Sequence, residues 1–132
     1  MSIDRAEGRC HCGAVSFEAK LPSKWVAHCH CTMCRRSNGA AFVTWVGVEE
    51  SGCTLSDPEG VFSRYRSSAE GERGFCSRCG SSFWFRSSRW PGEVHLTLAN
   101  FDTPVDRAPQ AHAFYGTHVD WYAVNDALPK KP

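Results

Sequence analysis

The sequence has no excess of charge of either sign, with fifteen Lys plus Arg against fourteen Asp plus Glu and a formal net charge of +1. No overall field is therefore available to hold phosphate backbones or an anionic membrane surface, and neither nucleic acid nor a membrane is expected as a partner. Long hydrophobic runs are also missing: none approaches the roughly 18 residues of a spanning helix. The opening MSIDRAEGRCHCG places Asp4 and Glu7 where a secretory signal needs an apolar core. The expected compartment is the cytoplasm. Internal repeats, low-complexity tracts and linkers are absent too, so residues 1–132 are read as one domain. Helical periodicity is nearly absent.

What is present is a series of short apolar runs separated by Gly, Pro, Ser and Asp, the pattern of a mainly β protein. Between residues 14 and 19, Val15 and Phe17 alternate with Ser16 and Glu18. Phe42, Thr44, Val46 and Val48 oppose Val43 and Trp45 in the same way, so both segments are expected as half-buried strands. Residues 25–30, 61–65, 82–85, 94–98 and 111–115 are further strand candidates, with turn residues such as Pro22, Gly52, Pro58, Gly71 and Pro91 between them. One helical turn is predicted over residues 32–37, stopped by Asn38 and Gly39. So small a set of strands needs staples.

Eight cysteines can supply them. They fall as Cys10 and Cys12, then Cys29, Cys31 and Cys34, then Cys76 and Cys79, with Cys53 alone. A reducing cytosol disfavours disulfides, and sulfurs this close in sequence converge on one point, as a tetrahedral ion requires. Cysteines that serve only as small buried hydrophobes have no reason to pair up. The pairs at 10/12 and 76/79 both sit beside glycine, in CHCG and CSRCG, and Gly13 and Gly80 permit a tight backbone turn beneath the sulfurs. Two such knuckles facing one another would make a closed, structural four-thiolate zinc site.

Cys29, Cys31 and Cys34 supply three more thiolates within six residues and leave one tetrahedral position undecided. An exchangeable fourth ligand would make this a catalytic type of site, whereas Cys53, His28 or His30 would close it. If Cys29 and Cys31 point to one side of an extended segment, His28 and His30 point to the other, which leaves Cys53 as the main competitor. Phe42 and Trp45 are expected beside this second site.

GRCHCGAVSFEA, AHCHCTMCRRSNGAAFVTWVGV, GFCSRCGSSFWF, LTLANFD and PQAHAFYGTHVDWYAVNDALPKKP, taken in order, resemble the successive motifs of the glutathione-dependent formaldehyde-activating enzymes, the family that includes the centromere protein V relatives. The resemblance implies a mainly β, Mss4-like (β-tent) fold of short antiparallel strands stapled by zinc. It also implies two zinc ions per chain, a structural one on Cys10, Cys12, Cys76 and Cys79 and a functional one on Cys29, Cys31 and Cys34. The implied activity is that of a carbon–sulfur lyase resembling S-(hydroxymethyl)glutathione synthase, with glutathione and formaldehyde as small-molecule partners. Three thiolates already take the ion from +2 to −1, which suits it to activating a thiol nucleophile rather than polarising a carbonyl.

Arg35 and Arg36 follow the last ligand and are candidates for a glutathione carboxylate or for the excess negative charge, against an equally available reading as a solvated pair. His112 and His95 could shuttle protons or be ordinary core histidines, and His118 is expected to be exposed. Trp25, Trp45, Trp84, Trp90 and Trp121 could line a ligand groove, although aromatics in a small β protein are mostly core. Two alternatives stay open: a non-catalytic zinc module that binds a protein or chromatin partner, and a lyase acting on another thiol and aldehyde. Oligomeric state is not readable.

Overall fold

The computed structural model describes residues 4–132. In chain order the elements are β1 (Arg5–Arg9), β2 (Ser16–Lys20), β3 (Trp25–Cys29), α1 (Thr32–Asn38), β4 (Val43–Glu49), β5 (Cys53–Ser56), β6 (Phe62–Arg66), β7 (Gly71–Cys76), β8 (Ser82–Ser87), β9 (Glu93–Thr97) and β10 (His112–Ala113). They form a three-stranded sheet, β1-β2-β5, and a seven-stranded sheet, β10-β3-β4-β9-β8-β7-β6. The mainly β expectation therefore holds. Pairing is antiparallel throughout except at one edge, where β10 runs parallel to β3 and sets His112 opposite His28. No helix among the described residues is long and apolar enough to cross a membrane.

Alternation along the strands divides the large sheet into two faces. Val26, Val46, Leu96 and Trp84 stand side by side on one of them. This face joins Val15, which precedes β2, and Phe17 and Ala19 of β2 in the main core, between the two sheets. The opposite face carries a second row, Trp25, Gly47, His95, Phe85 and Arg73, across β3, β4, β9, β8 and β7. Gly47 is a requirement of that row, because a Cβ there would lie 2.3 Å from the Trp25 indole.

The half-buried alternation expected of residues 14–19 is observed, with Val15 and Phe17 buried and Ser16 and Glu18 partly exposed. In β4, by contrast, Val43, Trp45, Val46 and Val48 are all buried. A central strand covered on both faces has no solvent side. The expected strand over residues 111–115 shortens to two residues, because Phe114 takes the left-handed conformation (φ 54°) and a 3₁₀ turn follows over Tyr115–Thr117. The α-helix α1 has the predicted position, with Gly39 at φ 60° closing it by an N–H bond to the Arg35 carbonyl.

Candidate functional site

The turn after β1, with the end of β7 and the turn after it, brings Cys10, Cys12, Cys76 and Cys79 together, their sulfurs all within 4.8 Å of one another. Gly13 and Gly80 have φ of 82° and 80°, the left-handed turns that the two knuckles require. The sulfurs of Cys10 and Cys12 are 3.7 Å apart, and those of Cys12 and Cys76 are 3.8 Å apart. A disulfide needs about 2.05 Å, and all eight cysteines are free. A tetrahedron with Zn–S bonds of about 2.3 Å has edges of about 3.8 Å, so the donor set fits a zinc ion. The Val15 N–H supports the Cys10 sulfur at 3.4 Å. The group joins the small sheet to the large one.

Cys29, Cys31 and Cys34 converge in the same manner within 4.8 Å. Cys29 ends β3, and Cys31 is the N-cap of α1, its sulfur accepting the Cys34 N–H at 3.3 Å. Among the described residues no other Cys, His, Asp or Glu joins this group. The competitors for the fourth position lie elsewhere. His28 sits on the opposite face of the sheet beside Thr44, and His30 hydrogen-bonds His112. Cys53 pairs with Ala19 in the small sheet and packs against the main core.

Burial, with a smaller contribution from Glu50, raises the Cys53 thiol to about 11. It is therefore protonated at neutral pH. Cys53→Ser is expected to leave metal content and melting behaviour close to those of the parent, read by elemental analysis and thermal melts. Loss of a metal equivalent would place Cys53 in the second site.

The sulfur of Cys34 accepts two N–H groups, the Trp45 indole and the Arg73 guanidinium, each at 3.4 Å. Arg73 is 2% exposed. Its guanidinium stacks over Phe85 and Trp45, 4.9 and 5.9 Å from the ring centroids. Among the described residues no carboxylate pairs with it, and its Nε and Nη1 have no hydrogen-bond partner. A buried guanidinium without a carboxylate needs negative charge nearby, and the thiolates are what it faces. Hydrogen bonds from Cys29 and Cys34, opposed by burial and reinforced by the Cys34 N–H and the Arg73 charge, hold the Cys31 thiol far below the usual thiol range. The sequence reading did not single out Arg73. Its signal was weak: one arginine three residues before the CSRC pair, in a strand whose neighbouring Glu72 obscured the alternation.

These thiols open into a cleft of about 520 Å³ over the second face of the large sheet. Its walls include Trp25, Trp45, Phe85, Trp90, His95 and Phe114, and its basic groups are Arg73, Arg89 and Lys131. Of the five tryptophans, for which the core was the favoured reading, Trp25, Trp45 and Trp90 line the cleft. Trp84 is in the main core and Trp121 is 70% exposed. Arg35 and Arg36 do not line the cleft: Arg35 donates to the Thr117 carbonyl at 2.9 Å and Arg36 is exposed. Adjacent positions on α1 do not share a face. Trp45 is beside the thiols as expected, whereas Phe42 packs on His28 and His30 across the sheet. The one-residue offset from Val43 puts it on the other face.

His95 is buried in this cleft and shares a 3.0 Å hydrogen bond from Nε2 to Glu93 Oε1. Burial lowers its pKa and outweighs the opposing pull of Glu93. The ring is therefore neutral near pH 7, with Nε2–H given to the carboxylate and Nδ1 left as an acceptor. His112 is in the other histidine group, buried at the parallel edge. His118 stacks on Tyr115 at the surface.

Comparison with known proteins decides the family, because the family model described as glutathione-dependent formaldehyde-activating enzyme matches residues 5–117. The chain belongs to that family. It is 31% identical over 131 residues to a protein of Halomonas elongata provisionally named as a glutathione-dependent formaldehyde-activating enzyme, covering 89% of this chain and 80% of the relative. It is 32% identical over 79 residues to an uncharacterized lyase of Schizosaccharomyces pombe, covering 60% of this chain and 56% of that protein. Among solved structures, a Rhodobacter sphaeroides protein superposes with a TM-score of 0.63 at 25% identity, over 74% of this chain and 89% of its own. The formaldehyde-activating family resemblance and the mainly β fold thus agree with one another.

Proposed function

We propose that this family member is a zinc-dependent carbon–sulfur lyase that adds the thiol of glutathione to formaldehyde, with two zinc ions per chain. In this reading Cys10, Cys12, Cys76 and Cys79 hold a structural ion, and Cys29, Cys31 and Cys34 hold a functional one. The observation that carries it is the three-thiol group, without a fourth protein donor among the described residues, opening into a cleft. Zinc bound there would favour the deprotonated form of an incoming thiol. The chain's own residues do the rest. Arg73 sets a fixed positive charge against the thiolates. Arg89 and Lys131 are placed to take the carboxylates of a peptide thiol. The aromatic walls hold formaldehyde against the sulfur and keep water from competing for it.

In the addition, an S–C bond forms, the carbonyl π bond opens, and the thiol proton ends on the new hydroxymethyl oxygen. In this reading Nδ1 of His95, the free acceptor of a ring on the cleft wall, helps to move that proton, with Glu93 fixing its tautomer. Formaldehyde and thiols combine unaided, so only acceleration above that background counts. Exchange between glutathione and S-(hydroxymethyl)glutathione, followed by NMR exchange spectroscopy, is expected to quicken in proportion to protein, by about 10²-fold or more when site and thiol are matched. Cys31→Ser is expected to give the background rate. If the zinc-loaded protein gives only background with glutathione, the reading falls and a non-catalytic zinc module takes its place. Acceleration with a less polar thiol alone would assign the lyase to another thiol, in keeping with the tryptophans of the cleft.

A further inference from the structure

On the face of the large sheet opposite the cleft, the parallel β10–β3 edge places His112 beside His28. Asp126, from the segment after the 3₁₀ turn, reaches back so that both of its carboxylate oxygens lie 3.0 Å from His112 Nε2. A ligand nitrogen or oxygen of each of the three residues lies within 4.8 Å of the others. We infer that His28, His112 and Asp126 form a third metal site, for a divalent transition ion taken by two imidazoles and one carboxylate.

Ligand spacing and the surrounding hydrogen bonds favour this assignment. Two adjacent donors about 2.1 Å from a six-coordinate ion, at a right angle to one another, are about 3.0 Å apart, the separation found between His112 and Asp126. Each imidazole has its other nitrogen held, as metal-ligating histidines do. His28 Nδ1 bonds Thr44 Oγ1 at 2.8 Å, leaving Nε2 as the free ring nitrogen. His112 Nδ1 bonds His30 Nε2, also at 2.8 Å. Phe42 packs against His28, 4.9 Å between ring centroids, and supplies an apolar flank. The Asp126 side chain is 43% exposed, so an ion can reach the group from solvent.

The simpler role for these side chains would be to fasten the C-terminal segment. The backbone already does so, through His112 N–H to the Pro129 carbonyl and Lys131 N–H to the His112 carbonyl, each at 2.8 Å. Two imidazoles and a carboxylate without sulfur select borderline ions of the zinc, cobalt, nickel and iron(II) kind. The two cysteine groups belong to a different, softer class of donor and stand apart from this one. The site rests on its own geometry, so its failure would leave the lyase reading intact.

The test titrates Co²⁺ into protein that carries zinc on its cysteines and has been passed over a chelating resin. One bound equivalent with weak visible d–d bands and no sulfur-to-cobalt charge-transfer band is the expected result. His28→Gln and Asp126→Asn are each expected to weaken that equivalent by about 10–100-fold or more, with the near-ultraviolet circular dichroism of the zinc protein unchanged. No bound cobalt, cobalt seen only through charge-transfer bands, or binding that survives either substitution would overturn the site.

Discussion

Cys10→Ser and Cys79→Ser are expected to leave little folded protein, whereas Cys31→Ser is expected to fold and to lose only the second metal equivalent. The difference follows from what each group connects. Cys12 and Cys76 meet across 64 residues of chain, and their group joins the β1–β2 turn to the β7–β8 turn across two sheets. Cys29, Cys31 and Cys34 lie within one strand end and one short helix. A structural zinc contributes on the order of 10–16 kcal/mol of apparent binding energy in small zinc modules. A whole domain is stable by about 5–15 kcal/mol, so losing the first site leaves no reserve. Far-ultraviolet circular dichroism, thermal melts and elemental analysis read the result, with metal near two zinc ions per chain in the parent and near one in Cys31→Ser. Equal unfolding of both kinds of variant would show that the division of labour is wrong.

Most of the fold was legible because most strands alternate large apolar residues with polar ones. The strands that were missed each lack that alternation, for a different physical reason. In β1 the buried positions are Ala6 and Gly8, small residues that carry no hydrophobic signal. At Gly8 nothing larger fits: a Cβ there would sit 2.3 Å from both the Phe17 ring and the Asn100 carbonyl. β5 begins in ESGCTLSDPEG, where turn residues outweigh the two inward side chains, Cys53 and Leu55. β7 carries Glu72 and Arg73 in succession, which breaks a binary pattern although Arg73 is buried.

The cysteine groups were legible in part for the opposite reason: short spacing marks Cys10/Cys12, Cys29/Cys31/Cys34 and Cys76/Cys79 as local donor sets, although only the fold brings the first and last pairs together across 64 residues. The cleft was not, because its wall is a row across five strands, and no local pattern reports that Trp25, His95, Phe85 and Arg73 are neighbours. The short stretch after β10 shows the same limit at one residue. Phe114 lines the cleft in a left-handed conformation that costs a bulky residue about 1–3 kcal/mol and that only the fold can impose.

Arg73→Met is expected to weaken metal at the second cysteine group by about 10–100-fold, and the sign of its effect on stability is expected to depend on whether that group is filled. In the loaded protein the guanidinium offsets the net negative charge of three thiolates on a divalent ion, through the 3.4 Å bond to Cys34. Removing it leaves that charge buried against Trp45 and Phe85. In the Cys31→Ser background the second group no longer holds its ion, and Arg73, whose Nε and Nη1 are unpartnered already in the parent, loses the thiolate charge that it faces. Replacing an uncompensated buried charge with an apolar side chain of similar length is then neutral or stabilising. The measurement is a double-mutant cycle: competition against a chromophoric chelator for metal affinity, and thermal melts of Arg73→Met, Cys31→Ser and the double variant. Arg73→Lys keeps the charge but not the planar fork that stacks between Phe85 and Trp45, so it is expected to recover part of the affinity. If Arg73→Met destabilises the Cys31→Ser protein as much as it does the parent, Arg73 is a packing residue and its charge does not serve the thiolates.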